Sequence, residues 1–536
     1  MSREDRYFKS LNKRELWKRY CGYLDYSVDE FMAVQTKLLL EQIDLVAGSV
    51  LGKKIMNGQK PKTVNEFRQV VPLTRYDDYE PFLSEKMEQA LAVKPVSWCH
   101  SSGRGGRFKW MPYTSQAADA ACKTFVSYLL LAAARRKGEV RIGPGQRILY
   151  NLAPRPYLSG FSLYSFSQAF QSRLMPPPEE AEKMSFRERI QKGFQLALRE
   201  GVDIIFSISS ILVKAGERMA EQAQGTRFSI RVLHPRILST LLRGIAKSKL
   251  EGRKILPKDL WRPKVILCGG ADTAIYRDGV KYYWGKMPFE VYGSTECVNT
   301  AAQNWTQRWL SFIPHSAFWE FIPEEESIRS YEDSTYLPST VLLDELEEGK
   351  RYEVVLTQLY GMPLLRYRMG DIVKVVAMSD TEAGVKLPQF IFHTRVGETI
   401  DLAGLCRLTE KVIWQAINST GIKYEDWSAG KEYDHDKTFI RIYLEPKEQV
   451  EVSELERRID EQLKKVDIDY RDIGSYLELQ PVRVTLVSKG TFERYYQEKV
   501  KEGADMTHLK PPHMSAPAPV IERLLQLSMK DSRGKH

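Results

Sequence analysis

The sequence predicts an α/β protein: a large N-terminal domain with mixed or parallel sheets flanked by helices, plus a small mobile α+β C-terminal domain. Two observations lead to this prediction. Short segments rich in β-branched and aromatic residues alternate with helical stretches through the middle of the chain, which is typical of a largely parallel sheet. After about residue 385 the order becomes helix, strand, helix, strand, which indicates a separate unit.

Composition excludes several protein classes. The chain has 536 residues, of which 79 are Lys or Arg and 69 are Asp or Glu, so the formal net charge is +10. Apolar residues make up 43% and charged residues 28%, which are globular values and exclude a disordered or collagenous chain. At about 150 residues per domain, the length indicates about two to four domains.

Cysteine, histidine and apolar patterns exclude further classes. None of the six cysteines forms a C-x-x-C pair and there is no H-E-x-x-H, which argues against a disulfide scaffold and a zinc ribbon. The N-terminus is charged, and the apolar stretch Tyr128–Ala134 is far shorter than the roughly 20 residues of a membrane span. We therefore expect a cytoplasmic protein without membrane insertion. The basic run 243–254 lacks interleaved aromatic residues, so a solvated helix face is favoured and no nucleic-acid partner is expected.

The elements of the large domain follow in order. The first 95 or so residues have helical spacing, and Ser115–Lys137 predicts a helix that ends in a basic turn before Gly138. Strands are predicted at four β-rich segments: Arg147–Asn151, Lys264–Cys268, Phe289–Tyr292 and Glu353–Leu359.

The C-terminal region has its own pattern. A helix at 409–418 and a strand at 438–444 precede a second helix, for which Ser453 and Glu456 predict a capping box. Apolar positions at Val452, Leu455, Ile459 and Leu463 mark one helix face, and a strand follows at 482–487. We therefore predict a large domain over 1–392, a hinge over 393–405 and a lid over 406–536.

Three motifs are candidates for chemistry. Ser101 to Lys109 reads SSGRGGRFK before a helix, and glycine-rich backbone with hydroxyls and a lysine suits an anion. The G-x-x-x-x-G-K-[ST] spacing of a P-loop is absent, and alone a surface turn is about equally expected.

The other two motifs follow strand and turn signals. Tyr292-Gly293-Ser294-Thr295-Glu296 comes directly after an apolar strand, where α/β proteins place ligands and where a carboxylate can hold Mg²⁺. Asp371 follows a glycine in LRYRMGD and precedes another strand, so its carboxylate suits vicinal ribose hydroxyls. A strand-to-helix turn and a turn aspartate are the alternatives for the two motifs taken singly.

Taken together, in this order, the motifs resemble those of the adenylate-forming superfamily, which activates carboxylates with ATP. Within it the sequence most resembles the auxin-responsive acyl acid–amido synthetases of plants and their bacterial relatives. Segments that carry this likeness are spread over the chain: Val71-Pro72-Leu73, Phe318–Pro323, Glu348–Val355, Gly490-Thr491-Phe492 and His508–Pro512. The segment Gly361–Arg368 looks more like phenylacetate–CoA ligases.

The resemblance implies an enzyme, an ATP-dependent acid–amino acid ligase that forms an acyl-adenylate, with ATP and Mg²⁺ required. It implies a carboxylic acid substrate and an amino acid or CoA acceptor. The implied catalytic residues are Lys510, Glu296 and Thr295, with Glu296 also the metal ligand. The implied nucleotide-binding residues are Ser101, Ser102, Gly103, Arg104, Lys109, Gly269, Gly270, Ala271, Tyr292, Gly293, Ser294, Asp371 and Arg395.

The acid pocket is predicted near 301–322, where aromatic residues cluster. The candidate substrate-binding residues are Trp305, Phe312, His315 and Phe318, and plain core packing is the alternative for each.

The first motif departs from the family pattern. Arg104 and Gly105 stand where relatives have hydroxyl residues. An arginine is itself a good phosphate partner, but an impaired loop is the other interpretation. Two alternatives to the amido synthetase stay open. Gly361–Arg368 favours an acyl-CoA ligase of phenylacetate–CoA ligase type, and the loop departure favours a catalytically weakened nucleotide-binding relative.

Overall fold

The computed structural model describes residues 2–100, 109–225, 235–269, 273–333, 335–395, 399–402, 406–434, 437–477, 482–501 and 513–532. Predicted site residues 101–104, Gly270, Ala271 and Lys510 lie outside these ranges.

Helices begin near the N-terminus and recur between the strands. Within the described residues the α-helices are α1 Arg3–Ser10, α2 Lys13–Cys21, α3 Val28–Val46, α4 Val50–Ile55, α5 Val64–Val70, α6 Ser115–Ala133, α7 Leu158–Ala169, α8 Pro178–Ala181, α9 Phe186–Glu200, α10 Ser209–Gly225, α11 Pro235–Leu250, α12 Pro257–Leu260, α13 Thr273–Trp284, α14 Glu324–Glu332, α15 Glu410–Asn418, α16 Val452–Val466, α17 Ile468–Leu477, α18 Thr491–Lys501 and α19 Ala518–Ser532. Short 3-10 turns lie at Gly22–Asp25, Tyr76–Tyr79, Glu88–Ala90 and Leu343–Glu345.

Strands are mostly short. In the same ranges they are β1 Ser97–His100, β2 Trp110–Tyr113, β3 Gln146–Tyr150, β4 Ser172–Met175, β5 Ile204–Ile208, β6 Val265–Gly269, β7 Phe289–Tyr292, β8 Ala301–Gln303, β9 Leu310–Phe312, β10 Ala317–Pro323, β11 Arg351–Gln358, β12 Tyr367–Ala377, β13 Gln389–Arg395, β14 Thr399–Leu402, β15 Cys406–Thr409, β16 Tyr424–Asp434, β17 Lys437–Pro446 and β18 Arg483–Leu486.

One large mixed sheet organises the first 395 residues. Its eleven described strands follow the order β10-β11-β12-β13-β9-β8-β7-β6-β5-β3-β4. Neighbours from β4 to β7 pair in parallel, and the remaining neighbours pair antiparallel. The sheet with its helices, together with the smaller C-terminal sheet, confirms the predicted fold class.

The parallel half is buried on both faces. In β6, Val265 and Leu267 join the main hydrophobic core, whereas Ile266 and Cys268 join a second core under α9, α10 and α13. Successive side chains of a strand point to opposite faces, so a continuous apolar run is what a strand covered on both sides requires. This explains why the β-rich segments could be located in the sequence.

The C-terminal unit has a separate hydrophobic core, drawn from residues between Ile400 and Met514. Its sheet has the order β16-β17-β18, antiparallel then parallel. Leu455, Ile459 and Leu463 of α16 are buried in this core, as the apolar spacing predicts.

Two predicted helix ends are wrong. The capping box at Ser453 does not form, because α16 begins one residue earlier and Ser453 donates a hydrogen bond to Glu451 instead (Oγ to Oε1, 3.2 Å). The helix predicted to reach Lys137 ends at Ala133, since Ala134 has extended backbone angles. The backbone N–H of Arg135 then bonds the Glu139 carboxylate at 2.8 Å, so the basic residues lie beyond the helix.

The hinge over 393–405 and the domain borders beside it stay a prediction. Strand β13 of the large sheet continues to Arg395. Positions 396–398 and 403–405 lie outside the described residues.

A buried ion pair joins the motif LRYRMGD to the N-terminal region. Arg366 contacts both carboxylate oxygens of Glu320 at 2.9 and 3.0 Å, and the exposed fractions of the two residues are 6% and 0%. Its Nη1 also donates to the carbonyls of Arg68 and Val71 at 2.6 and 2.7 Å. Arg368 makes an analogous pair with Glu353. Both arginines are therefore structural, and Asp371 is the member of this motif that faces the site described below.

We expect Arg366→Ala to destabilise the protein by about 3–5 kcal/mol, because it leaves the Glu320 carboxylate buried without its cation. Urea unfolding followed by tryptophan fluorescence measures this. Arg308→Ala is the matched control: the partly exposed pair of Arg308 with Glu382 should contribute less than about 1 kcal/mol. Equal losses in the two variants would contradict a structural role for Arg366.

Candidate functional site

The parallel strands β5, β6 and β7 end side by side at Ile208, Gly269 and Tyr292. The predicted motif leaves β7 in a tight turn. A Cβ atom on Gly293 would lie 2.1 Å from the Val298 carbonyl oxygen, so only glycine fits there. This close approach presents the motif at the carboxyl edge of the sheet, where α/β proteins bind ligands.

Asp371 is held beside that edge by two partners. The phenol of Tyr292 donates to Asp371 Oδ2 at 2.6 Å, and Arg395 Nη1 lies 3.4 Å from Asp371 Oδ1. Asp371 and Arg395 are cross-strand partners in the β12–β13 register. Burial, together with the Asp371 charge, raises the pKa of Tyr292 well above its ordinary value, so the phenol stays protonated as a donor.

Glu296 forms an ionised centre next to this pair. It is 8% exposed; burial alone would raise its pKa, but the positive charges of Arg395 and Lys109 hold the pKa below its ordinary value. The backbone around it is fixed, since Gln358 donates to the Glu296 carbonyl at 2.7 Å and Tyr113 to the Thr295 carbonyl at 3.0 Å. Lys109, the described residue of the first motif, therefore acts electrostatically at the second motif.

A cavity of about 700 Å³ lies at this edge of the sheet, and its lining includes Tyr292, Asp371 and Arg395 but neither Glu296 nor Lys109. Predicted residues that line it are Gly269, Tyr292, Gly293, Ser294, Thr295, Asp371 and Arg395. The C-terminal unit contributes Gly430, Lys431, Tyr433, Asp469, Asp472, Ser515 and Ala516. The second and third motifs thus meet in one cleft, and residues of the C-terminal unit line another part of it. Its volume is in the range of small-molecule sites.

The structure places the four predicted acid-pocket residues elsewhere. Phe312 and Phe318 are buried in the main core, Trp305 packs on Trp17 with ring centroids 5.5 Å apart, and His315 lies 6.4 Å from the Tyr26 ring. Burial lowers the pKa of His315 to about 4. These four described side chains are not among the residues that line the cavity.

An apolar wall lies on another side of the cavity. It is formed by residues of α6, α7 and β5, namely Ala118, Ala121, Cys122, Phe125, Phe161 and Phe206. The rings of Phe125 and Phe206 are 5.3 Å apart. Helix α6 was predicted, but which of its faces meets a cavity depends on distant strands, so the sequence alone could not indicate this wall.

Sequence reasoning also missed Glu290, which lines the cavity two residues before Tyr292. Burial raises the pKa of Glu290 to about 7, against a lowering contribution from Arg277. Strand alternation puts residues i and i+2 on one face, so the position of Tyr292 was a signal that could have found it.

His513, at the edge of the described C-terminal unit, was likewise missed. Its ring nitrogens lie 2.5 Å from Glu410 and 2.6 Å from Asp426, and the ring stacks on Trp427 at 4.5 Å. Burial opposes the charged form, but the two carboxylates raise the pKa of His513. This contact fixes the chain just before Ser515, which lines the cavity.

Domain profiles of the GH3 family match three parts of the chain. The N-terminal domain matches residues 24–172, the central domain 310–395 and the C-terminal domain 409–519. Together these matches cover more than half of the sequence.

The chain belongs to the GH3 family. Among curated proteins it is similar to the indole-3-acetic acid-amido synthetase GH3.17 of Arabidopsis thaliana, with 22% identity over 90% of each chain. This GH3 membership confirms the resemblance to the acyl acid–amido synthetases of the adenylate-forming superfamily.

Solved structures share the fold of this GH3 protein. The acyl acid amido synthetase AtGH3.15 in complex with 2,4-DB has a TM-score of 0.52 and 17% identity, covering 96% of this chain and 97% of that one. A 2-hydroxyisobutyryl-CoA ligase with 2-HIB-AMP and CoA has a TM-score of 0.55 and 12% identity, covering 89% and 93%. Identities this low establish a common architecture.

In the part of the chain that the structure describes, no helix combines the length and apolar character needed to cross a bilayer.

The described residues also contain no group of three or more His, Cys, Asp or Glu side chains placed to hold a metal ion. Mg²⁺ commonly keeps several waters and binds one or two carboxylates plus substrate phosphates. The single ionised carboxylate of Glu296 fits that mode of binding.

We expect Glu290→Gln to change the pH dependence of stability. In the wild type, an unfolded glutamate ionises near its ordinary pKa of 4.5, whereas folded Glu290 stays protonated to about pH 7. Between pH 4.5 and about pH 7 the unfolded chain releases this proton and the folded protein keeps it, so the free energy of unfolding falls as the pH rises. The glutamine variant lacks this loss and should melt higher relative to wild type at pH 8 than at pH 5.

Thermal midpoints of both proteins at pH 5 and pH 8 measure the effect. Exposed Glu382, paired with Arg308, supplies the control variant Glu382→Gln, for which no such crossover is expected. A wild-type-to-variant difference that is constant with pH would contradict the raised pKa.

Proposed function

We propose that this GH3 protein uses ATP to activate a carboxylic acid as an acyl-adenylate and then transfers the acyl group to an amino acid. The observation that supports the proposal is the single cleft that Tyr292, Asp371 and Arg395 share with the turn that follows β7. Conjugation by the family relative is the second support, since GH3.17 is named an amido synthetase. The cytoplasmic location expected from the sequence belongs to the same proposal.

In this proposal the cleft binds the nucleotide by complementary groups. The Asp371 carboxylate accepts hydrogen bonds from the ribose hydroxyls, and Arg395 and Tyr292 hold that carboxylate in place. Gly269 and Tyr292 border the adenine, with Gly270 and Ala271 next to them in sequence. Hydroxyls of Ser294 and Thr295 face the phosphates, and Ser101, Ser102, Gly103, Arg104 and Lys109 complete the phosphate loop.

The first step joins the acid to AMP. An oxygen of the substrate carboxylate attacks the α-phosphorus, a new P–O bond forms, and the bond to pyrophosphate breaks with its electron pair leaving on pyrophosphate. Negative charge gathers on the phosphoryl oxygens, so fixed cations stabilise the transition state. Mg²⁺ bound at Glu296 would neutralise phosphate charge, and Lys109 and Lys510 would add to that stabilisation.

The second step forms the amide. The free amine of the acceptor attacks the acyl carbonyl, a C–N bond forms, the C–O bond to AMP breaks, and the nitrogen loses a proton. Water would hydrolyse the adenylate, so enclosure by the C-terminal unit protects it. The apolar wall of α6, α7 and β5 favours an acid with an apolar or aromatic body.

The function is tested by ATP–pyrophosphate exchange across a broad panel of carboxylic acids. Acid-dependent exchange is expected for at least one acid, followed by amide formation when amino acids are added. Thioester with CoA and no amide would instead assign an acyl-CoA ligase. If exchange stays at background for every acid while ATP binding is measurable, the protein is a weakened nucleotide-binding relative and the proposal is contradicted.

We expect Asp371→Ala to weaken ATP binding roughly ten-fold or more, because hydrogen bonds to a charged group contribute about 1.5–3 kcal/mol. Tyr292→Phe should weaken it less, since the carboxylate is retained and only its orientation is lost. Isothermal titration measures both, and Glu382→Ala on the exposed surface is the control. Unchanged ATP affinity in Asp371→Ala would remove the ribose assignment.

A further inference from the structure

A buried amide beside the cavity has no part in the activation step proposed above. Asn299 lies on the turn between β7 and β8, which the Thr300 N–H closes by donating to the Tyr292 carbonyl at 2.9 Å. Asn299 is 4% exposed and lines the cavity. A polar side chain that is this buried and still borders a cavity is a candidate for contact with a ligand.

The amide of Asn299 has a fixed orientation. Its Nδ2 donates to the carbonyl of Ala121, in α6, at 2.9 Å. Because a carbonyl only accepts hydrogen bonds, the nitrogen end of the amide must face α6, and Oδ1 is the other end. This hydrogen bond ties the turn after β7 to the apolar wall, to which Ala121 belongs.

The Oδ1 atom of Asn299 is an acceptor without a protein donor. Among the described residues, no N–H or O–H group donates to it. It is also absent from the sealed polar atoms that lack a partner, which include both amide atoms of Asn151, so Oδ1 is reached from the cavity. Leaving such an acceptor unpaired costs free energy, and a donor that enters with a ligand removes that cost.

The chemistry of an acceptor restricts what binds at Oδ1. An ionised carboxylate and the ionised phosphate oxygens of a nucleotide have no hydrogen to donate. Neither the carboxylate that reacts nor the phosphates are therefore partners of this oxygen. The complementary group is a donor on another part of a ligand, either a neutral hydroxyl or N–H group or an ammonium.

The surroundings on α6 favour a neutral donor. Ala118 and Cys122, which flank Ala121 in the sequence, line the cavity, and burial raises the pKa of Cys122 to about 12, so its thiol is neutral. A charge costs more than a neutral polar group in such surroundings. Ser162 and Ser165 of α7 also line the cavity, but a hydroxyl rotates to donate or accept and so does not select a donor.

We propose that Asn299 selects a carboxylic acid whose apolar body carries a neutral hydrogen-bond donor, a hydroxyl or an N–H, that bonds to Oδ1. This inference rests on the proposed function, because it takes the apolar wall to hold the body of the acid. Asn299 is then a specificity-determining residue, since an acid without the donor leaves a buried acceptor unpaired. Discrimination of that kind exceeds what a difference in apolar size produces.

The test compares matched acids in matched variants. Phenylalkanoic and alkanoic acids carry a hydroxyl at successive positions, and the same acids with fluorine there are of similar size but donate nothing. Secondary amides and their N-methyl derivatives supply the N–H arm. Asn299→Leu removes the acceptor at similar size, Asn299→Ala removes it without crowding, and Cys122→Ala is the control that alters the wall but keeps the acceptor.

Two measurements are made on each protein. One is kcat/KM for pyrophosphate exchange, and the other is calorimetric affinity in the presence of the α,β-methylene analogue of ATP, which blocks the reaction. Wild type should favour at least one donor-bearing acid over its donor-free partner roughly ten-fold or more. Both Asn299 variants should lose that preference, whereas Cys122→Ala should keep it. A ratio between two ligands does not depend on how much of a variant is folded.

The hydroxyl and N–H arms show which donor the site takes. The inference is overturned if wild type binds none of the panel, if it shows no preference in either arm, or if the preference survives in both Asn299 variants. It is also overturned if those variants weaken the nucleotide analogue or the amino acid acceptor and leave the acid ratios unchanged. Failure of the proposed function looks different, because exchange would stay at background in wild type while the calorimetric ratios would still decide the role of Asn299.

Discussion

The site depends on a curved sheet. Tyr292 ends β7 and Asp371 lies in β12, and three strands separate β7 from β12 in the sheet order. In a flat sheet these strands would be on the order of 19 Å apart, yet the phenol and the carboxylate are 2.6 Å apart. Within the sheet, a single residue pair, Phe390 with Leu310, registers β13 with β9. The contact between Tyr292 and Asp371 therefore requires the sheet to depart from a plane between β7 and β12, and it brings the second and third motifs to one cleft.

Two carboxyl groups at or beside this cleft show how the surroundings of a side chain set its charge. Glu290 and Glu296 are six residues apart, and burial disfavours the ionised form of both. Arg395 and Lys109 outweigh burial at Glu296, so its pKa falls, whereas Arg277 does not outweigh it at Glu290, whose pKa rises. The ionised carboxylate of Glu296 is therefore suited to a cation, whereas Glu290 stays protonated up to about pH 7 and can donate a hydrogen bond below that pH.

Arg395 interacts with both Asp371 and Glu296. It is the cross-strand partner of Asp371, and its charge makes the largest contribution that lowers the pKa of Glu296. Because it is the last residue of β13, it also marks the point where the chain leaves the large sheet for the C-terminal unit.

The sequence alone determined the elements and the motifs, since both are written in local patterns. Apolar runs located β3, β6 and β7, helical spacing located the buried face of α16, and the order of the three motifs indicated the superfamily. The capping box predicted at Ser453 was wrong, because α16 begins one residue earlier and Ser453 bonds its near neighbour Glu451. Phe312 and Phe318, which the sequence suggested for the acid pocket, pack in the main core. Only the tertiary structure decided the contact between Tyr292 and Asp371 and the apolar wall on α6, because each depends on which faces of remote segments come together.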